Sequence, residues 1–167
     1  MSKTPDIKVI PLTWVFTYKL DTDGYLAKFE ARICVRGDLQ PRSNKDTYAA
    51  TLAARTFHTL IAMTAAYDLE TYHLDAVNAF VNSQLDETVF CKFLDGFEQP
   101  DSCLLLLRAL YGLRRSPLLW LLELSATLKE LGLQEVAGEP CLFMNDDGVL
   151  VFFYRPSLSL RGATTAP

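Results

Sequence analysis

The stretch from Trp14 to Val35 leaves a chain like this few ways to fold. Trp14-Val15-Phe16-Thr17-Tyr18-Lys19-Leu20 alternates apolar and polar residues at strand spacing, and Tyr25 to Val35 reads as a returning strand. Between them Asp21-Thr22-Asp23-Gly24 is a turn with glycine where positive φ is needed. Residues 11–37 therefore predict an antiparallel hairpin. Asp38 to Ala50 is polar, contains Pro41 and reads as a loop.

Beyond the hairpin the pattern changes period. Residues 55–68 place Phe57, Leu60, Ile61, Thr64 and Ala65 on one helical face. Strands are predicted at Thr71 to Asp75, Val89 to Phe93 and Leu104 to Leu107. Ser116-Pro117 predicts a helix start, with serine as N-cap and proline at the first helical position. Trp120, Leu124, Leu128 and Leu131 follow at helical spacing, and Gly132 supplies the stop. Cys141 to Asn145 and Val149 to Tyr154 flank Asp146-Asp147-Gly148 as a second hairpin. Strands and helices mix without regular βαβ alternation, so the predicted class is α+β, with both helices packed on a small sheet that holds Asp75 and Val149–Tyr154.

Half of the 167 residues are hydrophobic and 22% are charged, which is the balance of a globular chain. Sixteen basic and 20 acidic residues give a formal net charge of −4. That argues against tight autonomous nucleic-acid binding, which draws on a basic excess, but leaves room for a local basic groove. Cys34, Cys91, Cys103 and Cys141 are widely spaced, and with His58 and His73 they form no zinc or disulfide pattern. No signal peptide opens the chain and no apolar run is long enough to span a bilayer, so a soluble intracellular protein is expected.

The chemistry-bearing candidate is Asp75, at the end of an apolar strand, where a carboxylate and neighbouring backbone oxygens can hold a hard cation. Taken alone, an aspartate there is more often a turn or helix cap. Its context is more specific. Lys28-Phe29-Glu30-Ala31-Arg32-Ile33-Cys34-Val35-Arg36-Gly37, then Leu74-Asp75-Ala76-Val77-Asn78-Ala79-Phe80, then Ala109-Leu110-Tyr111-Gly112-Leu113-Arg114-Arg115-Ser116-Pro117 follow in order after Trp14-Val15-Phe16. This series resembles the reverse transcriptase of copia-type retrotransposons, and looks closest to fungal members, over about Trp14 to Tyr154.

The resemblance implies the fingers and part of the palm of a right-hand polymerase, the RNA-directed DNA polymerase portion of a Pol polyprotein. It implies that Asp75 is the first catalytic, metal-binding carboxylate, with the Ala76 carbonyl beside it and Mg²⁺ as the ion. It implies that Phe80 packs under the sugar, that Arg32 grips the incoming triphosphate, and that Gly112, Arg114 and Pro117 line nucleotide and template. Primer-template and deoxynucleotides are the implied partners. Phe80 as a core aromatic, Arg32 as a solvated strand charge and Ser116-Pro117 as simple capping remain as plainer readings.

Three departures bear on activity. Glu30 stands where the family commonly has lysine, and Leu121 replaces a usual tyrosine. Where the family runs into Tyr-Val-Asp-Asp, this chain has Tyr154-Arg155-Pro156-Ser157. Nucleotidyl transfer uses two metal ions about 3.5–4 Å apart, held by carboxylates of both motifs. Asp146-Asp147 cannot replace the missing pair, since they sit in a turn about 20 Å away at the far end of a strand. The expectation is a partial domain over 1–154, an unrelated and disordered tail over 155–167, and no catalysis as it stands. An exposed apolar edge at Val149–Tyr154, with self-association, is expected as well. The alternatives are a non-catalytic nucleic-acid-binding or polymerase-interaction remnant, and a polymerase part completed in trans by another chain.

Overall fold

The computed structural model describes residues 8–153 and the backbone of residues 160–164. It divides into two units, one made of residues 1–45 and 84–116 and the other of residues 46–83 and 117–167.

In the first unit the predicted hairpin is present. After β1 (Val9–Ile10), β2 (Leu12–Leu20) pairs antiparallel with β3 (Leu26–Val35), from Leu12 opposite Val35 to Leu20 opposite Leu26. The turn is held by the Asp21 carboxylate, whose Oδ1 accepts from the N–H groups of Asp23 (3.0 Å) and Tyr25 (2.8 Å). Gly24 supplies the left-handed residue at φ +86°. The base of the unit is a three-stranded sheet in which β5 (Phe90–Cys91) lies between β1, parallel to it, and β6 (Leu104–Leu105), antiparallel. Both predicted strands shorten to two residues here, the length of the β1–β5 and β5–β6 ladders. Ile10, Val35, Val89, Cys91 and Leu113 form the core beneath.

The second unit opens with α1 (Ala54–Ala66), followed by β4 (Glu70–Leu74) and a 3-10 turn at Ala79–Asn82. After α2 (Ser116–Glu130) come β7 (Gln134–Val136), β8 (Glu139–Met144), β9 (Leu150–Phe153) and β10 (Leu160–Thr164). The sheet order is β4-β10-β9-β8-β7. Leu142 opposes Phe152 and Phe143 opposes Val151, and Leu142, Phe143, Phe152 and Phe153 are all buried. Successive residues of a strand face opposite ways, so β8 and β9 are covered on both faces, which is why residues 149–153 carry no polar alternation. Leu60 of α1 and Leu121, Leu124 and Leu128 of α2 join this core, and Phe57 meets Phe152 edge-on at 6.0 Å.

Several expectations need correction. In α2 Leu119, Leu121, Leu124 and Leu128 are buried and half-buried Trp120 packs against the core, but Leu131 is 69% exposed beyond the last turn. In α1 the stripe is Phe57, Leu60 and Thr64, with Ile61 and Ala65 outside it. Ser116 is the first residue of α2, and its hydroxyl donates to the Leu110 carbonyl at 2.7 Å rather than serving as a cap. Gly132 does stop the helix, at φ +85°, with Leu133 N–H reaching back to the Leu128 carbonyl.

The largest difference is β10. Residues 155–167 are expected to be an unrelated, disordered tail and a poor strand partner, yet Leu160–Thr164 pairs antiparallel with both β4 and β9. The expected exposed edge on β9 is therefore absent, since β8 and β10 flank it. Ladder pairing draws on backbone N–H and C=O groups that every non-proline residue owns, so a Leu-Arg-Gly-Ala-Thr segment without strand periodicity can fill the gap between two better strands. Residues 154–159 and 165–167, including Arg155-Pro156-Ser157, lie outside the described residues.

Candidate functional site

Asp75 is placed by the register of the second unit's sheet. Leu74 and Phe153 both oppose Leu160 of β10. β4 and β9 are each antiparallel to β10, so they run in the same direction and end at the same edge. Asp75 emerges from β4 there, exposed, beside the point where β9 delivers the chain to residue 154. Two strand spacings, about 10 Å, separate the two strand ends. Asp146-Asp147 occupies the β8–β9 turn at the opposite end of β9, as its sequence predicts. Ala76 is half-buried, Asn78 takes a left-handed φ of +51°, and the chain then turns so that Ala79 and Phe80 are buried.

No group of three His, Cys, Asp or Glu side chains that could hold a metal ion occurs among the described residues. At the Asp75 edge the sequence-predicted donors are one carboxylate and the Ala76 carbonyl. One carboxylate can anchor a hydrated Mg²⁺ by a single charge only, so the described residues do not by themselves make a two-ion site.

Arg32 lies in the first unit, on β3. Lys28, Glu30 and Arg32 share one face of the hairpin, with Lys19 across from Lys28. The Glu30 side chain is only 13% exposed and collects three cations: Lys19 Nζ at 2.9 Å, Lys28 Nζ at 3.4 Å and Arg32 Nη2 at 2.7 Å. The hydrogen bond from Lys19 is the main reason its carboxyl is held below the ordinary glutamate range. The charge introduced by Glu30 is thus compensated several times over, and the face keeps a cationic excess.

Gly112 and Arg114 are built into the foot of the same hairpin. Val35 N–H donates to the Tyr111 carbonyl at 2.7 Å, and Gly112, at φ +91°, approaches so closely that a Cβ would lie 2.0 Å from the Val35 oxygen. The approach is reciprocal, since a Cβ on Gly37 would lie 1.8 Å from the Gly112 oxygen. Arg114 donates its backbone N–H to Gln40 Oε1 and its Nε–H to the Gly37 carbonyl, both at 3.1 Å.

Sequence reasoning missed the residues that hold this junction. Gln40 is buried, and its Nε2 donates to Glu87 at 3.2 Å while its oxygen holds Arg114. Arg115, also buried, meets Asp86 with two parallel hydrogen bonds, Nε–Oδ1 at 3.0 Å and Nη2–Oδ2 at 2.5 Å, and Lys45 adds a contact to the same carboxylate at 3.4 Å. The hydrogen bond from Arg115 is the largest cause of the lowered Asp86 pKa. Nothing in Arg114-Arg115 says which arginine turns inward, and the distant Asp86 decides it. The structure thus brings Arg32, Gly112 and Arg114 into one unit, and Asp75, Ala76, Phe80 and Pro117 into the other.

The described residues thus hold an exposed strand, β4, leading into one aspartate, and a cation-bearing hairpin locked to a glycine-arginine loop. The chain belongs to the reverse transcriptase (RNA-dependent DNA polymerase) family, whose model matches residues 1–163, and within it to the copia-type Pol polyproteins. It is 27% identical over 158 residues to the Retrovirus-related Pol polyprotein from transposon TNT 1-94 of Nicotiana tabacum, covering 89% of this chain and 12% of that protein. The Retrovirus-related Pol polyprotein from transposon RE2 of Arabidopsis thaliana is 26% identical over 155 residues, covering 89% of this chain and 11% of the relative. The Transposon Ty1-DR5 Gag-Pol polyprotein of Saccharomyces cerevisiae is 28% identical over 152 residues, covering 87% and 8%. The chain thus spans about a tenth of the length of these relatives. Plant and yeast relatives stand at nearly equal identity, so they give the expected fungal leaning no support. No solved structure gives a significant match.

Proposed function

We propose that the first unit is a fingers portion, which grips a nucleotide's phosphates through Arg32, and that the second is a palm portion presenting Asp75 to the reacting end of a primer. The observation that carries this reading is the register that brings Asp75 and the end of β9 to one edge of one sheet. A polymerase palm needs carboxylates from two strands to converge at such an edge, because two cations must be held within about 4 Å of each other. Phe80, buried five residues beyond Asp75, has the position to pack under a sugar. Gly112 and Arg114 then act by fixing the foot of the hairpin that carries Arg32.

The same geometry supports the reading that this chain, as it stands, does not catalyse. The position facing Asp75 across β10 leads into Tyr154-Arg155-Pro156-Ser157, which offers no carboxylate where the family has two. A lone aspartate cannot offset the charge of two divalent ions.

Primer extension tests both parts. The 167-residue chain with primer-template, deoxynucleotides and Mg²⁺ or Mn²⁺ is expected to extend no primer above a no-protein control. Extension that Asp75→Asn abolishes would overturn the inactivity while keeping the palm. Residues 8–153 exchanged for the matching segment of an active relative are expected to give extension that Asp75→Asn removes. An active exchange indifferent to Asp75→Asn would sink the palm assignment.

A further inference from the structure

The cations of the first unit are nearly all spent on internal partners. Lys19, Lys28, Arg32, Arg36, Lys45 and Arg115 each stand in an ion pair, and Arg114 is held by backbone and side-chain oxygens. Lys8, Arg42 and Lys92 have no such partner among the described residues. Two of these three, Lys8 and Arg42, line the same cavity, of about 380 Å³, within this unit. The Ser43 and Thr88 hydroxyls line it too, and neither is engaged in a hydrogen bond among the described residues.

The site is also well supported. Ile10 and Val89, both buried core residues, form its floor. Gln40 is fixed at both ends of its amide, by Arg114 and Glu87, and Pro41 restricts the backbone leading into Arg42. Two free cations and two free hydroxyls on a rigid wall are what a phosphate group needs: charge to offset its own, and donors for its several oxygens. Glu87, on the same wall, opposes an anion and sets the sign of a useful control.

We propose that this cavity is a binding site for clustered phosphate, recognised by Lys8 and Arg42 with help from Ser43 and Thr88. It involves none of the residues assigned above to nucleotide or primer, so it stands apart from the polymerase reading. The phosphates could be those of a free polyphosphate chain or of a nucleic-acid strand, and the chemistry is shared. In a protein of net charge −4, such binding depends on these two side chains rather than on overall charge.

Calorimetric titration of the 167-residue chain at low salt, with sodium tripolyphosphate in one arm and a single-stranded oligothymidylate in the other, tests the site. Saturable binding is expected, weakening as salt rises. Lys8 and Arg42 are exposed, so Lys8→Gln and Arg42→Gln should leave the fold intact and weaken binding about tenfold each, the worth of one charge-assisted hydrogen bond. Glu87→Gln keeps an acceptor for Gln40, removes the opposing charge, and is expected to tighten binding severalfold. Lys92→Gln, outside the cavity, is expected to change it less than about twofold. Binding of tripolyphosphate alone assigns the site to free polyphosphate, and binding of the oligonucleotide alone assigns it to a strand. Saturable binding of neither probe, an equal loss on Lys92→Gln, or no tightening on Glu87→Gln would overturn the proposal.

Discussion

At Gly112 a side chain has nowhere to go. Its φ of +91° lies in the region that favours glycine, and a Cβ would sit 2.0 Å from the Val35 carbonyl oxygen, which accepts a hydrogen bond from Gly37 N–H at 2.8 Å. Gly24 has a similar φ, +86°, but nothing lies within 4 Å of the added carbon. The two glycines therefore separate conformational strain from collision. Gly24→Ala is expected to cost about 1–2 kcal/mol, the price of a left-handed alanine, while Gly112→Ala should exceed that by at least about 1–3 kcal/mol. Urea unfolding of the two variants measures the difference, and equal losses would show that the loop yields. The Gly24 turn is legible from Asp21-Thr22-Asp23-Gly24 because its geometry is local. The demand at Gly112 comes from Val35, far back along the chain, which no local pattern encodes.

Among the elements, α2 shows how far periodicity reaches. A helix over residues 117–131 follows from the leucine spacing and Gly132, and the structure places one at Ser116–Glu130. The face is less legible. Leucines at 118, 119, 121, 122, 124, 128 and 131 surround much of the cylinder, so the pattern fixes the period and leaves the direction loose. Packing against β8 and β9 selects Leu121, Leu124 and Leu128. This also accounts for Leu121, whose neighbours are core side chains that a leucine fills without stranding a hydroxyl. Leu121→Ala and Leu124→Ala are each expected to cost about 2–5 kcal/mol, whereas Leu131→Ala should stay near 0.5 kcal/mol or below, roughly the surface range. A thermal or urea series across the three measures the orientation directly. A large loss at Leu131 would reinstate the face that spacing alone predicts.

On the scale of the whole molecule, apolar surface is distributed unevenly. The strand expected to be exposed, β9, is paired on both sides, whereas the β2–β3 hairpin carries an uncovered aromatic face. Trp14, Phe16, Tyr18 and Phe29 share its second face, Trp14 stacks on Phe16 at 5.9 Å, and Phe16 and Phe29 are 73% and 74% exposed. A contiguous aromatic face of this kind promotes association. Sedimentation velocity is expected to show concentration-dependent self-association at micromolar protein, relieved by Phe16→Lys with Phe29→Lys. A monodisperse wild-type monomer under those conditions would contradict it. Among the described residues no helix is long and apolar enough to cross a membrane.

The sequence by itself determined what depends on neighbours in the chain: both hairpins, both helices, and the family, carried by blocks whose order and spacing survive in one dimension. Asp75 at a strand end was legible in the same way. Only the tertiary structure decided what depends on partners far along the chain. It aligned Leu74 with Phe153 through Leu160, compensated Glu30 with three cations, turned Arg115 rather than Arg114 onto Asp86, and drew Leu160–Thr164 into the sheet. The physical reason is common to all four. Strand registry, ion pairing and close backbone approach are made between segments that meet only when the chain has folded, while alternation, helical period and turn chemistry act within a few residues.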